Sequence, residues 1–134
     1  MPRLFPLLFL CLFVPLLISC NKDDDEDVSP NLRLLTDGQW TGQAVYFGGQ
    51  DQTDVFEQET GIDFTKYTSL FNRDGTYSDT YDTQEINGTW EYENDERVIL
   101  FDKGDSDEYT VVISKLDDDE LHYQQDGIEF RFRR

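Results

Sequence analysis

Asp79 lies between Tyr77 and Tyr81, and in an extended segment these three side chains share one face. A carboxyl group turned inward among phenols holds its proton more tightly unless a cation or several hydrogen bonds compensate. Lys66 and Arg97 are the candidate cations. This is the chemistry of a polar contact at the mouth of a pocket, where the hydroxyls of Tyr77, Tyr81 and Tyr109 could orient a ligand's head group. The rest of the inventory argues against catalysis. His122 is the only histidine, and in Leu121-His122-Tyr123 it falls on the face opposite its apolar neighbours, where ordinary solvent exposure is expected. No Ser/His/Asp arrangement has positional support, and a histidine-based zinc site lacks ligands. Among 29 acidic residues, carboxyl pairs about 5 to 9 Å apart arise by accident, so spacing alone does not indicate a glycosidase. Asp102 to Asp107 has acidic residues at the wrong offsets for a calcium loop and reads as a solvated hairpin connection, as does Asp117 to Glu120. The chain is expected to be no enzyme and to carry no metal or cofactor.

The elements that would position these residues are strands. From Leu32 onward, aromatic and β-branched side chains recur at period two between turns rich in Gly, Asp and Asn. The clearest case is Ile86 to Glu93, with Ile86, Gly88, Trp90 and Tyr92 on one face and polar residues on the other. Ile128 to Arg133 repeats the pattern. Further strands are expected at Gln39 to Phe47, Thr65 to Phe71, Thr76 to Tyr81, Val98 to Phe101, Tyr109 to Leu116 and Leu121 to Gln125. Asp74-Gly75 suits the tight turn of a hairpin. Thr53 to Gln58 is either a ninth strand or a lid across one end. Ser29-Pro30 suits a helix start, with Leu32 and Leu35 docking on the domain. Eight short antiparallel strands fit a closed up-and-down barrel, an all-β fold without exposed edges; a two-sheet β-sandwich carries the same local signature. The candidate pocket residues are Trp40, Tyr77, Asp79, Tyr81, Trp90, Tyr92 and Tyr109. Tyr46, Phe71, Tyr123 and Phe130 are also expected to point inward.

Residues 1–19 have a different character. Arg3 precedes an apolar run from Leu4 to Ile18 that is interrupted by Pro6 and Pro15. A membrane span needs about 20 apolar residues, so this run reads as a signal peptide. Leu17-Ile18-Ser19-Cys20 resembles the lipobox of bacterial lipoproteins. The resemblance implies that Cys20 becomes the first mature residue and carries diacylglyceryl and further acyl chains of the palmitate kind. Lys22-Asp23-Asp24 resembles the export signal of surface lipoproteins of the Bacteroidota. It implies display on the outer membrane facing outward, the periplasmic face being the alternative. The expected organisation is a leader over 1–19, a lipidated cysteine with an acidic tether over 20–31, and one domain over 32–134.

The formal charge of the chain is -18, and loss of the leader with Arg3 makes it -19. So acidic a surface excludes nucleic acid as a partner, since such binding begins with Lys and Arg neutralising phosphate. Cys11 falls in the leader and Cys20 is committed to lipid, so the core must hold the domain without disulfides.

Gly38-Gln39-Trp40 resembles the Gly-x-Trp signature that opens the first strand of lipocalins, and Gly88-Thr89-Trp90 repeats it in the middle of the chain. The span from about Leu34 to Arg133 is similar to the lipocalin-like domains of Bacteroidota lipoproteins. This resemblance implies that Trp40 packs at the closed end of a barrel with Arg131 or Arg133 across its ring, and that a small apolar or amphipathic molecule occupies the interior of a monomer. The alternative is a self-filled barrel acting as an accessory protein. It would touch an outer-membrane complex, a host protein or a glycan through its loops, with Tyr46, Phe47 and Phe56 forming the contact patch. Replacing Cys20 by Ser should abolish lipidation and shift the protein out of the membrane fraction or leave its leader uncleaved; unchanged mass and fractionation would refute the lipoprotein reading.

Overall fold

The computed structural model describes residues 28–134. The leader, Cys20 and Lys22-Asp23-Asp24 lie outside the described residues. Ser29 caps a short helix α1 (Pro30–Thr36) by accepting the Leu32 amide at 3.1 Å, with proline at its start. At about two turns it is too short to stand alone, and burial of Leu35 holds the helix in place.

There follow β1 (Trp40–Phe47), a two-residue β2 (Gln50–Asp51), α2 (Thr53–Thr60), a 3-10 turn (Phe64–Lys66), β3 (Thr68–Phe71), β4 (Thr76–Tyr81), β5 (Gln84–Glu93), β6 (Val98–Phe101), β7 (Tyr109–Leu116), β8 (Glu120–Gln125) and β9 (Ile128–Arg133). From β3 to β9 each strand pairs antiparallel with the next. β1 pairs with both β3 and β9, so the sheet closes as an eight-stranded up-and-down barrel, and β2 is a short appendage on the far half of β1. The sandwich alternative is thereby set aside. Thr53 to Gln58 is helical, not a strand, and Thr65 to Tyr67 fall in the 3-10 turn and its end rather than in β3.

Period two breaks once in β1, at a β-bulge between Gly42 and Ala44. Beyond it the inward parity changes, so Val45 is buried while Tyr46 leaves the interior and takes the Arg131 guanidinium over its ring at 3.6 Å. This corrects the inward expectation for Tyr46. Gly42 is required by contact: a Cβ there would lie 1.9 Å from the Phe64 carbonyl oxygen, and the Gly42 amide donates to Tyr67 O at 2.8 Å. Ile86 also departs from its expected face. β6 pairs with β5 only from Trp90 to Glu93, so Ile86 extends past the wall and is 44% exposed.

The alternating chain directions place α1 and the β3–β4, β5–β6 and β7–β8 turns at one end, and the β1–β3 connection with α2 at the other. The α1 end is sealed. Trp40 is fully buried and donates its Nε1 proton to Leu35 O at 3.0 Å. Arg134, not Arg131 or Arg133, lies across its ring at 3.9 Å, held by Leu34 O and Asp118 O. Trp90 is buried in the same cluster, edge-on to Phe71 and Tyr92 with its Nε1 proton on Asn72 O. Gly38 has φ of +101° with open space around it, so its role is a left-handed turn before β1 and not close approach to a ring. Gly88 does permit close approach, since a Cβ there would meet Asp102 Oδ1 at 2.0 Å. Trp90→Ala should cost about 3 to 5 kcal/mol in chemical denaturation, the usual loss for a large buried aromatic; a loss below about 1 kcal/mol would contradict this placement.

Candidate functional site

The open end of the barrel collects the polar side chains that face inward. β4 carries Tyr77, Asp79 and Tyr81 on its inner face, as period two requires. Ser69 on β3 pairs across from Asp79 and donates its hydroxyl to Asp79 Oδ1 at 2.6 Å, and Tyr67 donates to Oδ2 at 2.5 Å. Asp79 is 7% exposed, and burial pushes its carboxyl above the usual range despite these two hydrogen bonds; the Asp102 charge acts in the same direction. Neither expected cation reaches it: Lys66 pairs with Asp63, and the Arg97 amide donates to Asn94 O at the sealed end. Tyr77 donates to Asp102 Oδ2 at 2.9 Å, and Asp102 Oδ1 also accepts the Thr89 amide. The connection from Asp102 therefore ties strands together. Among the described residues no three His, Cys, Asp or Glu side chains converge as metal ligands.

Above Asp79 lies a cavity of about 150 Å³, with Tyr67, Tyr109, Tyr123 and Gln125 supplying its polar groups and Phe56, Phe64, Phe130 and Phe132 its apolar walls. Burial raises the phenol pKa of Tyr67, Tyr109 and Tyr123, and the Asp79 charge adds to each shift. All three are neutral hydrogen-bonding groups at any physiological pH. Tyr81 stacks on Tyr67 at 5.7 Å beside the rim. Phe56, from α2, closes the cavity from above, edge-on to Phe64 at 5.7 Å and to Phe130 at 5.9 Å. On the other side of Phe56 is a second, apolar cavity of about 190 Å³, lined by Val45, Phe47, Val55 and Ile128. Phe47 is 60% exposed there and Val55 45%.

Of the residues expected at the pocket, Tyr109 lines the cavity, Asp79 and Tyr77 lie beneath it and Tyr81 stands at the rim. Trp40, Trp90 and Tyr92 are at the sealed end, where the Tyr92 hydroxyl donates to Asn31 O at 3.0 Å. Tyr67, Gln125 and Phe56 were not singled out as cavity residues. Tyr67 and Phe56 belong to the connection between β1 and β3, whose local sequence has no clear period. His122 faces outward as expected but is covered: its side chain is 13% exposed, and its Nε2 has Glu120 at 3.6 Å and no hydrogen-bond partner among the described residues. Desolvation and the nearby Arg131 charge lower its pKa.

No family model and no curated protein matches the chain. Solved structures do. A lipocalin-like protein from Bacteroides uniformis ATCC 8492 is 12% identical with a TM-score of 0.52, over 72% of this chain and 96% of that one. A duf4847 family protein from Bacteroides vulgatus ATCC 8482 is 14% identical with a TM-score of 0.57, over 75% of this chain and 94% of that one. An uncharacterized protein from Bacteroides eggerthii DSM 20697 is 14% identical with a TM-score of 0.53, over 72% and 97%. At these identities the likeness concerns the fold alone, an eight-stranded lipocalin-like barrel.

The raised carboxyl of Asp79 gives a pH prediction. An acid whose folded pKa lies above its unfolded value of about 3.9 contributes stability at low pH, which is lost as pH rises through the folded pKa. Asp79→Asn should remove that loss, so denaturation midpoints of parent and variant should diverge in the variant's favour between about pH 4 and neutrality. A parallel pH dependence in the two proteins would show that Asp79 is not desolvated.

Proposed function

We propose that this chain is a cell-envelope lipoprotein whose lipocalin-like barrel holds a small amphipathic molecule at the open end. The observation that carries this reading is Phe56. One ring divides a phenol-lined cavity inside the barrel from an apolar cavity beneath α2 that opens on exposed Phe47 and Val55. Neither space alone reaches the roughly 300 Å³ at which small-molecule sites begin, whereas both joined by rotation of Phe56 would. A polar head would then meet Tyr67, Tyr109 and Tyr123, and an apolar tail would leave between α2 and the ends of β1 and β9. The lid has no fully buried residue; besides Phe56 it is tied by Thr53, whose hydroxyl accepts the Val45 amide, and by Glu57, which accepts the Phe64 amide.

The proposed anchoring fits this direction. α1 sits at the sealed end, so a tether from lipidated Cys20 would enter there and the mouth would face away from the lipid surface. Lys22, Asp23 and Asp24 would then direct export, making the site accessible from outside the cell. The exposure of Phe47 and Val55 also favours a second reading, in which the same rim contacts a partner protein of the envelope.

Titration with an apolar naphthalene fluorophore separates the two. Phe56→Ala should strengthen probe binding at least about tenfold, equivalent to about 1.4 kcal/mol, and Gln125→Trp, which places a large ring in the inner cavity, should weaken it by a similar factor. Binding that ignores both substitutions would place the probe on the outer surface and favour the contact reading.

A further inference from the structure

We infer that the site inside the barrel selects a positively charged head group, an organic ammonium seated among Tyr67, Tyr109 and Tyr123 in the field of Asp79. This inference deepens the proposed function and rests on that reading of the lumen.

Asp79 is a buried carboxyl whose oxygens, among the described residues, accept from the neutral hydroxyls of Tyr67 and Ser69. Among the described residues, the charged side chain acting on it is Asp102, which is also acidic. A buried carboxylate in that setting has no opposite charge to compensate it. The three phenols lining the cavity all feel the Asp79 charge. A group entering the cavity therefore stands within reach of one negative charge in a medium of low polarisability, where Coulomb attraction is several times stronger than in water.

The walls point the same way. Tyrosine rings attract cations through their electron-rich faces, by about 0.5 to 2 kcal/mol per contact depending on desolvation. An anionic head would be repelled by Asp79 and Asp102. A neutral head would gain hydrogen bonds alone. A metal ion is a poor fit, since hard cations need six or more oxygen ligands and no cluster of three acidic or histidine side chains is found among the described residues. Outside the barrel, a net charge of -18 raises the local concentration of cations and lowers that of anions around the mouth.

Burial makes the Asp79 carboxyl hold a proton more tightly than an exposed one does, and an arriving ammonium would compensate the carboxylate in place of that proton. Affinity should then rise with pH through the Asp79 titration, over a range where an alkylammonium keeps its own charge.

The test is calorimetric titration of the full chain with octylammonium, octanol and octanoate, three probes that share one tail. It is done in about 1 M NaCl, where a Debye length of about 3 Å suppresses binding to the acidic surface. Octylammonium should bind at least about tenfold more tightly than octanoate, its affinity should fall on acidification, and Asp79→Asn should erase the preference. If Asp79→Asn does not fold, the pH dependence of the parent decides the matter. Equal affinity for the three probes, or preference for octanoate, would overturn the charge selection and leave the lumen reading standing. Failure of all three to bind even to Phe56→Ala would overturn both.

Discussion

The contact on which the rest of the structure depends is the pairing of β1 with β9 across the bulge at Gly42 and Ala44. Without it the sheet would keep two exposed edges and no interior. The bulge lets one strand face in at Trp40, lose a residue's worth of register, and face in again at Val45. It also brings the Gly42 backbone against Phe64, so that the 3-10 turn can pack inside the rim and deliver Tyr67 to Asp79. A side chain at Gly42 would push that turn out, and the polar floor of the cavity would lose its phenol.

The two ends of the barrel answer different demands. At the sealed end every large group is matched: Trp40 has Leu35 O and Arg134, Trp90 has Asn72 O, and Tyr92 has Asn31 O. At the mouth, apolar burial gives way to phenols around one carboxyl, with a cavity above them and a helix that contributes no fully buried side chain. In a domain of this size without disulfides, replacing that cluster with aliphatic side chains would be the simpler route to stability. Local rules that favour stability are broken at functional positions, and the break here is confined to one end.

The alternation of Ile128 to Phe132, the Asp-Gly turn and the capping of α1 by Ser29 were legible in the sequence because each depends on neighbours within a few residues. The positions of Tyr46 and Ile86 were not. Tyr46 turns on a bulge created by pairing with a strand more than 80 residues away, and Ile86 on where the partner β6 ends. The helical state of α2 was equally hidden, since Thr53 to Thr60 has neither a strong helical period nor a side-chain cap and is held by Phe56 against Phe64 and Phe130. An arginine over Trp40 was expected from the resemblance to lipocalins; which arginine depends on how far β9 runs past the ring, and Arg134 is the one in reach. The site followed the same division. Asp79 could be marked as an unusual inward carboxyl from its two flanking tyrosines, but its actual partners come from β3 and the turn before it.

Amide hydrogen exchange resolved by residue tests the central claim, a sealed end with a buried core facing a lid that has no fully buried residue over a polar lumen. The account predicts that amides of β1, β8 and β9 exchange only through global unfolding, while those of α2 exchange through local opening at a small fraction of that free energy. Protection of α2 equal to that of β1 and β9 would contradict it, because Phe56 would then keep the two cavities divided.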